Sequence, residues 1–182
     1  MKAVIERKID REEFKIETPI GFPNIGMSYC PGRQTNSNGI LTRRNSMEDL
    51  LRISQWRASL AIALLEKNEL KRIGGYDLPK SVPVFGMEWS HCPVMKKSPL
   101  RQNSVSQIDI CEKAMKKVLG TLRNERKVIV FCDDGLDRTG TFVCRILVEI
   151  GIEPEKALRF IGKNRRTSLS QSQVSYIMGK IW

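Results

Sequence analysis

Apolar residues fall along this chain in two rhythms. Unbroken runs at Leu60–Leu65 and Val128–Phe131, bounded by polar residues, read as buried strands. Ile25-Gly-Met-Ser-Tyr-Cys30 reads as a short strand stopped by Pro31-Gly32, and Val82 to Trp89 as another strand. The second rhythm is helical. Val105, Ile108, Cys111, Met115, Val118, Leu119 and Leu122 recur on one face, with Ser104 and Gln107 as a capping box. Ser46 is expected to cap a short helix of Met47, Leu50, Leu51 and Ile53, with Asp49 at the capping-box position. Glu66 to Ile73 predicts a helix closed by Gly74-Gly75. Three more helices are expected to Ile150, over Pro154 to Asn164, and from Ser170 onward, while Gln34 to Asn45 is expected to be a loop. Strands interleaved with helices define an α/β chain. Residues 1–24 mix charges with isolated apolar side chains and are expected to form an arm or an extra strand beside a domain over 25–182.

At 182 residues and 20.8 kDa, with 41% hydrophobic residues, the chain suits one soluble domain with its own core. No apolar run approaches a membrane span, and Met1 to Ile9 is too charged for a secretory h-region. Cys30, Cys92, Cys111, Cys132 and Cys144 form an odd, scattered set without metal-ligand rhythm, which predicts a reducing, cytoplasmic setting. The net charge of +11 and pI near 9.7 predict anionic partners: phosphoproteins, inositol lipids, anionic membrane surfaces or RNA.

The chemistry concentrates in Val128-Ile-Val-Phe-Cys-Asp-Asp-Gly-Leu-Asp-Arg-Thr-Gly-Thr-Phe142. A strand ends at Cys132, a tight loop passes through Gly135, and a helix opens near Arg138-Thr139-Gly140. Loop amides followed by a helix N-terminus make an anion cradle. A thiol in that field is expected to ionise more readily, Arg138 adds a two-pronged phosphate donor, and Thr139 can hydrogen-bond the thiolate or assist its departure. The alternative is a buried strand-end cysteine beside an ordinary N-cap.

The Cys132-to-Arg138-Thr139 spacing resembles the signature of the cysteine-dependent protein tyrosine phosphatase superfamily, which includes dual-specificity and lipid phosphatases. Weaker similarities extend over residues 25–182: Ile25 to Tyr29, Leu60 to Leu70 with Glu69-Leu70, Trp89 to Val94 as the entry to a general-acid loop, and Arg165 through Gln171 to Tyr176 as a Gln-bearing closing segment. The resemblance implies a single domain with a central mixed, mostly parallel sheet flanked by helices. It implies phosphomonoester hydrolysis through a cysteinyl-phosphate, with no metal and no cofactor.

Two departures stand out. Phe131 occupies the place where the family commonly carries His, and Lys96 stands where the acid-loop Asp should fall. Lys96 and Lys97 are therefore expected to bind substrate anions. The loop Asp134-Gly135-Leu136-Asp137-Arg138-Thr139 resembles that of myotubularin-type and bacterial phosphoinositide/tyrosine phosphatases, which are thought to take their acid from it. Like charge opposes ionisation of a carboxyl beside a thiolate and a phosphate dianion, which suits a proton donor. Asp137 is the expected acid, with an N-cap as its alternative role. Asp133, Asp134, Gly135 and Leu136, with Gln171, are expected to line the substrate phosphate; Gln171 and Gln173 can orient the hydrolytic water, with a solvated helix face as the favoured alternative. The sole histidine, His91, reads as structural, and Cys92, Cys111 and Cys144 as core. Arg165 and Arg166 face substrate or solvent. Phosphotyrosine, phosphoserine or phosphothreonine protein is the preferred substrate and a phosphoinositide the alternative. An RNA 5′-phosphatase or a phosphate-binding pseudophosphatase stands behind them.

Overall fold

The apolar runs pair with one another. In the computed structural model, which describes residues 14–35, 41–96 and 105–179, six strands and eight helices follow in chain order. They are β1 (Ile25–Tyr29), β2 (Arg33–Thr35), β3 (Leu41–Arg43), α1 (Ser46–Gln55), β4 (Ala58–Ala63), α2 (Lys67–Ile73), α3 (Leu78–Val84), β5 (Glu88–His91), α4 (Val105–Arg123), β6 (Lys127–Cys132), α5 (Asp137–Glu149), α6 (Pro154–Phe160), α7 (Lys163–Ser168) and α8 (Gln171–Ile177). The main sheet has the order β1-β6-β4-β5, with every pairing parallel. The antiparallel part is peripheral: a single bridge from Glu17 to Met27 at the β1 edge, and a separate β2–β3 hairpin.

A parallel sheet covered on both faces needs strands that are apolar throughout, and β6 shows why. Val128, Val130 and Cys132 point into one core with α4, α5, α6 and α8. Ile129 and Phe131 point into the other, against α1, α2 and α3. Phe131, which stands in the place of the expected His, is therefore a core residue, 6.1 Å from Trp89 between ring centroids. Of the first 24 residues, the described part is tied down. Phe14 is buried in the second core, and Glu17 exchanges both backbone hydrogen bonds with Met27, at 2.9 and 2.7 Å.

Several expected elements differ. The 34–45 loop contains the β2–β3 hairpin, whose three-residue polar strands are too short to show a period of two; it is closed by the Arg44 amide donating to Gly32 O. The cap of α1 is Asn45, whose side chain accepts from the Met47 amide. Asp49 is not a capping-box residue but a fully buried anchor, accepting from the Gly32 amide and from Arg44. Val82 to Phe85 is not strand: Pro79 lies in the first turn of α3, Leu78 and Val82 face inward one turn apart, and Val84 is 78% exposed. The helix expected over 154–164 breaks at Gly162, whose φ of +88° ends α6 before α7 begins. Ser104, the expected cap of α4, lies outside the described residues.

Candidate active site

β6 delivers Cys132 to the C-terminal edge of the sheet, where ligands gather in parallel α/β folds. The turn from strand to helix is tight because Gly135 allows it. Its φ is +63°, and a Cβ there would lie 2.4 Å from Ser28 O on β1. The backbone then enters α5, whose first residues Asp137, Arg138 and Thr139 are all buried.

The thiol has two close polar neighbours. Thr139 Oγ1 donates to Cys132 Sγ at 3.1 Å, and the Cys132 thiol donates to Asp134 Oδ1 at 3.4 Å. Burial pushes the Cys132 thiol up to about 11, and the Asp134 charge adds to that; Arg138 and the bonds from Thr139 pull it back. The field expected to lower this pKa is present, but desolvation outweighs it.

Arg138 is fully buried and held from one side. Nη1 and Nη2 donate to Glu69 Oε2 and Oε1 at 2.6 and 3.2 Å, and Nη1 also reaches Val94 O at 3.1 Å. Its Nε is buried with no acceptor among the described residues. An orphaned charged donor is costly unless a ligand takes it. Glu69, at the third position of α2, also accepts from the Glu66 amide at 2.8 Å. Burial pushes its carboxyl up, but the bonds from Arg138 and Glu66 and the Arg138 charge prevail and leave it below its usual range.

The other expected site residues separate into two groups. Asp134 and Asp137 sit with Cys132, their ligating atoms all within 4.8 Å of one another. Asp134 Oδ1 also accepts from the Leu136 amide at 3.1 Å, and Lys96 Nζ lies 3.9 Å from Asp134 Oδ2. Asp137 Oδ1 accepts from the Arg138 amide at 2.6 Å, and its backbone carbonyl from Thr141. Asp133 is turned to Arg33, whose Nε is 3.1 Å away, so it braces the loop against the β2–β3 hairpin. Gln171 is exposed on the first turn of α8, whereas Gln173 is buried and closes the α8 capping box with Ser170. Lys97 lies outside the described residues.

Among the weaker candidates, His91 Nε2 is 2.7 Å from Leu65 O and the ring stacks on Trp89, a structural placement. Arg165 is buried and paired with Glu17, while Arg166 is exposed. Glu69 and Arg33 were given no role in the sequence reading. The only local signal for Glu69 was its place in a capping box directly after the strand that adjoins β6.

No protein-family model matches this chain, and no curated protein matches it in sequence. Solved structures do match. One is kinase associated phosphatase (KAP) with its catalytic-site cysteine changed to serine: 19% identity, 92% of this chain and 94% of that one, TM-score 0.75. PTPMT1 in complex with PI(5)P matches at 17% identity over 86% and 89% of the two chains, TM-score 0.62. A human tyrosine phosphatase-like serine/threonine/tyrosine-interacting protein matches at 12% identity over 87% and 91%, TM-score 0.58. The fold is thus that of the cysteine-dependent protein tyrosine phosphatases, a single α/β domain around a parallel four-stranded sheet. No helix among the described residues is long and apolar enough to cross a membrane.

Proposed function

We propose that this protein is a phosphatase that hydrolyses phosphomonoesters through a cysteinyl-phosphate on Cys132. The observation that carries the reading is the fully buried Arg138 Nε, without an acceptor among the described residues, at the start of the helix that follows the thiol-bearing strand and loop. A phosphoryl oxygen is the acceptor that this donor lacks. In the first step Cys132 sulfur attacks phosphorus in line, while Arg138 and loop amides hold the equatorial oxygens. Thr139, donating to Sγ, stabilises the thiolate again when water displaces it from phosphorus. Asp134 and Asp137 are the two carboxyls that the loop offers for proton transfer. None of these steps calls for a cofactor.

The substrate favoured by this reading is phosphotyrosine, phosphoserine or phosphothreonine in protein, in keeping with the fold shared with kinase associated phosphatase. A phosphoinositide is the second reading, favoured by Lys96, a half-exposed cation beside the Asp134 carboxylate where it can meet a further phosphate, and by the net charge of +11. That charge also suits peripheral contact with an anionic membrane surface. Purified protein should be assayed against phosphopeptides, phosphoinositides and triphosphate RNA. Cys132→Ser should abolish turnover and still bind vanadate, because the anion cradle is intact. Turnover by Cys132→Ser above trace level refutes the covalent mechanism. Vanadate binding by wild-type protein with no turnover on any substrate would identify a phosphate-binding pseudophosphatase.

A further inference from the structure

The site described above uses one thiol, Cys132, and two of the others meet elsewhere. Cys92 directly follows β5, and its amide donates to Ala63 O at 2.9 Å. Cys111 lies on the face of α4 that also carries Ala114 and Val118 into the first core, at helical spacing. Cys92 sits in that same core, and the two thiols hydrogen-bond to each other. The remaining cysteines are placed differently. Cys30 faces the second core, Cys132 bonds to Thr139 and Asp134, and Cys144 is enclosed by α5 and its neighbours. We propose that Cys92 and Cys111 form a reversible disulfide when the protein meets a hydroperoxide, fastening the segment after β5 to α4.

The contact is close to what the bond needs. A disulfide has an S–S length of about 2.05 Å, and sulfurs already in hydrogen-bond contact have a short way to close. The two sulfurs are not equivalent. Cys111 is 9% exposed and stands beside the exposed Asp109 and Ile110, whereas Cys92 is fully buried. The hydrogen bond from Cys92 draws the Cys111 thiol below its ordinary value of 9.0, against burial; that same bond, with burial, pushes Cys92 up. Cys111 is therefore the sulfur that meets the oxidant first.

With hydrogen peroxide the steps balance. Cys111 sulfur attacks one peroxide oxygen; the S–O bond forms, the O–O bond breaks, and the thiol proton leaves with the other oxygen as water. Cys92 sulfur then attacks the Cys111 sulfenic sulfur. The S–S bond forms, the S–O bond breaks, and hydroxide leaves with the Cys92 proton as a second water. Two thiols are oxidised and one peroxide is reduced, and a dithiol reductant returns both thiols.

The link acts on a segment that serves the phosphate loop. Two residues beyond Cys92, Val94 donates to Leu64 O at 3.0 Å and its carbonyl accepts from Arg138 at 3.1 Å. Lys96, on the same segment, lies 3.9 Å from Asp134 Oδ2. A covalent tie from Cys92 to α4 closes the chain between positions 92 and 111 into a loop, which restricts the unfolded state and stabilises the folded one.

The test exposes reduced protein to hydrogen peroxide, caps remaining thiols with N-ethylmaleimide and maps the digest by mass without reduction. The expected product is a cross-link between the Cys92 and Cys111 peptides, two hydrogens lighter than the separate pair and released by dithiothreitol. Oxidation should raise Tm by several degrees, up to about 10 °C for a loop of this length, in the wild type and equally in Cys132→Ser. Cys111→Ala should show neither the cross-link nor the rise; its partly accessible site tolerates truncation better than fully buried Cys92. A cross-link between other cysteines, Cys30 and Cys132 in particular, would overturn the proposal. So would recovery of Cys92 and Cys111 as free thiols after Cys132 has been oxidised, or an unchanged Tm in cross-linked protein. None of these readouts uses a substrate, so they stand or fall apart from the phosphatase reading.

Discussion

Replacing Glu69 by Gln keeps the shape of the group that holds Arg138 and removes its charge. The carboxylate now makes two bonds to the guanidinium, at 2.6 and 3.2 Å, and accepts the Glu66 amide at 2.8 Å. A carboxamide has one oxygen for these three donors. Breaking a buried ion pair by removing one partner costs about 3–5 kcal/mol. Glu69 is 15% exposed and Arg138 retains Val94 O, so we take about 2–3 kcal/mol as the net loss. For a chain of this size that lowers Tm by roughly 4–12 °C. The guanidinium also loses its fixed orientation. Turnover on an aryl phosphate should fall roughly tenfold to a hundredfold, short of the ~10²–10³ that follows deletion of an oxyanion donor. The acid side supplies a check of sign. The Glu69 carboxyl sits below its usual range, so its contribution is present at neutral pH and is lost as pH falls through the folded value. The Tm difference between wild type and Glu69→Gln should therefore narrow towards pH 3. Calorimetry at pH 7 and pH 3, with steady-state kinetics, measures all of this. Unchanged Tm and unchanged kcat/KM at pH 7 would refute the role given to Glu69.

Further outcomes follow from the same geometry. Arg138→Lys keeps a charge but cannot bind Glu69 and a phosphoryl group through a planar fork; kcat/KM should fall by at least about 10²-fold, and near wild-type activity would remove Arg138 from the site. Gly135→Ala places a Cβ 2.4 Å from Ser28 O at a positive φ, so the loop must move; vanadate binding and turnover should both be lost, and retention of either would contradict the loop geometry. Burial pushes Cys144 up to about 12 and Cys132 to about 11, while unfolded thiols ionise near 9. The unfolded chain therefore loses protons first, so stability should hold below pH 8 and decline as pH rises past 9. Denaturant midpoints should show a shallower decline in Cys144→Val, and identical slopes would count against buried thiols as the cause.

What the sequence revealed was what is local. Strand, loop and helix from Val128 to Phe142 lie consecutively, and the rules for anion cradles act over that same short range. The orientation of Phe131 towards the second core also follows from the period of two along β6. What escaped was carried by pairs distant in sequence. Glu69 reaches Arg138 across 69 positions, and Arg33 reaches Asp133 across 100, so neither has a spacing to betray it. α3 was misread for a different reason. Val82-Pro-Val-Phe85 has strand composition, but its burial follows a helical turn, and composition cannot say which side chains face the core.

The two departures from the expected pattern, Phe131 and Lys96, together make one change in charge. A cation before the cysteine would hold a resting thiolate, and an acid-loop carboxylate would supply a separate proton. Here an aromatic ring in the core replaces the first, and a lysine replaces the second. A carboxylate, Asp134, lies within hydrogen-bond reach of the sulfur itself. A thiolate and a carboxylate at 3.4 Å repel, so one proton between them stabilises both. Lys96, 3.9 Å from Asp134 Oδ2, offsets part of that negative charge. Arg138, held by Glu69, is a second cation whose charge acts on the sulfur.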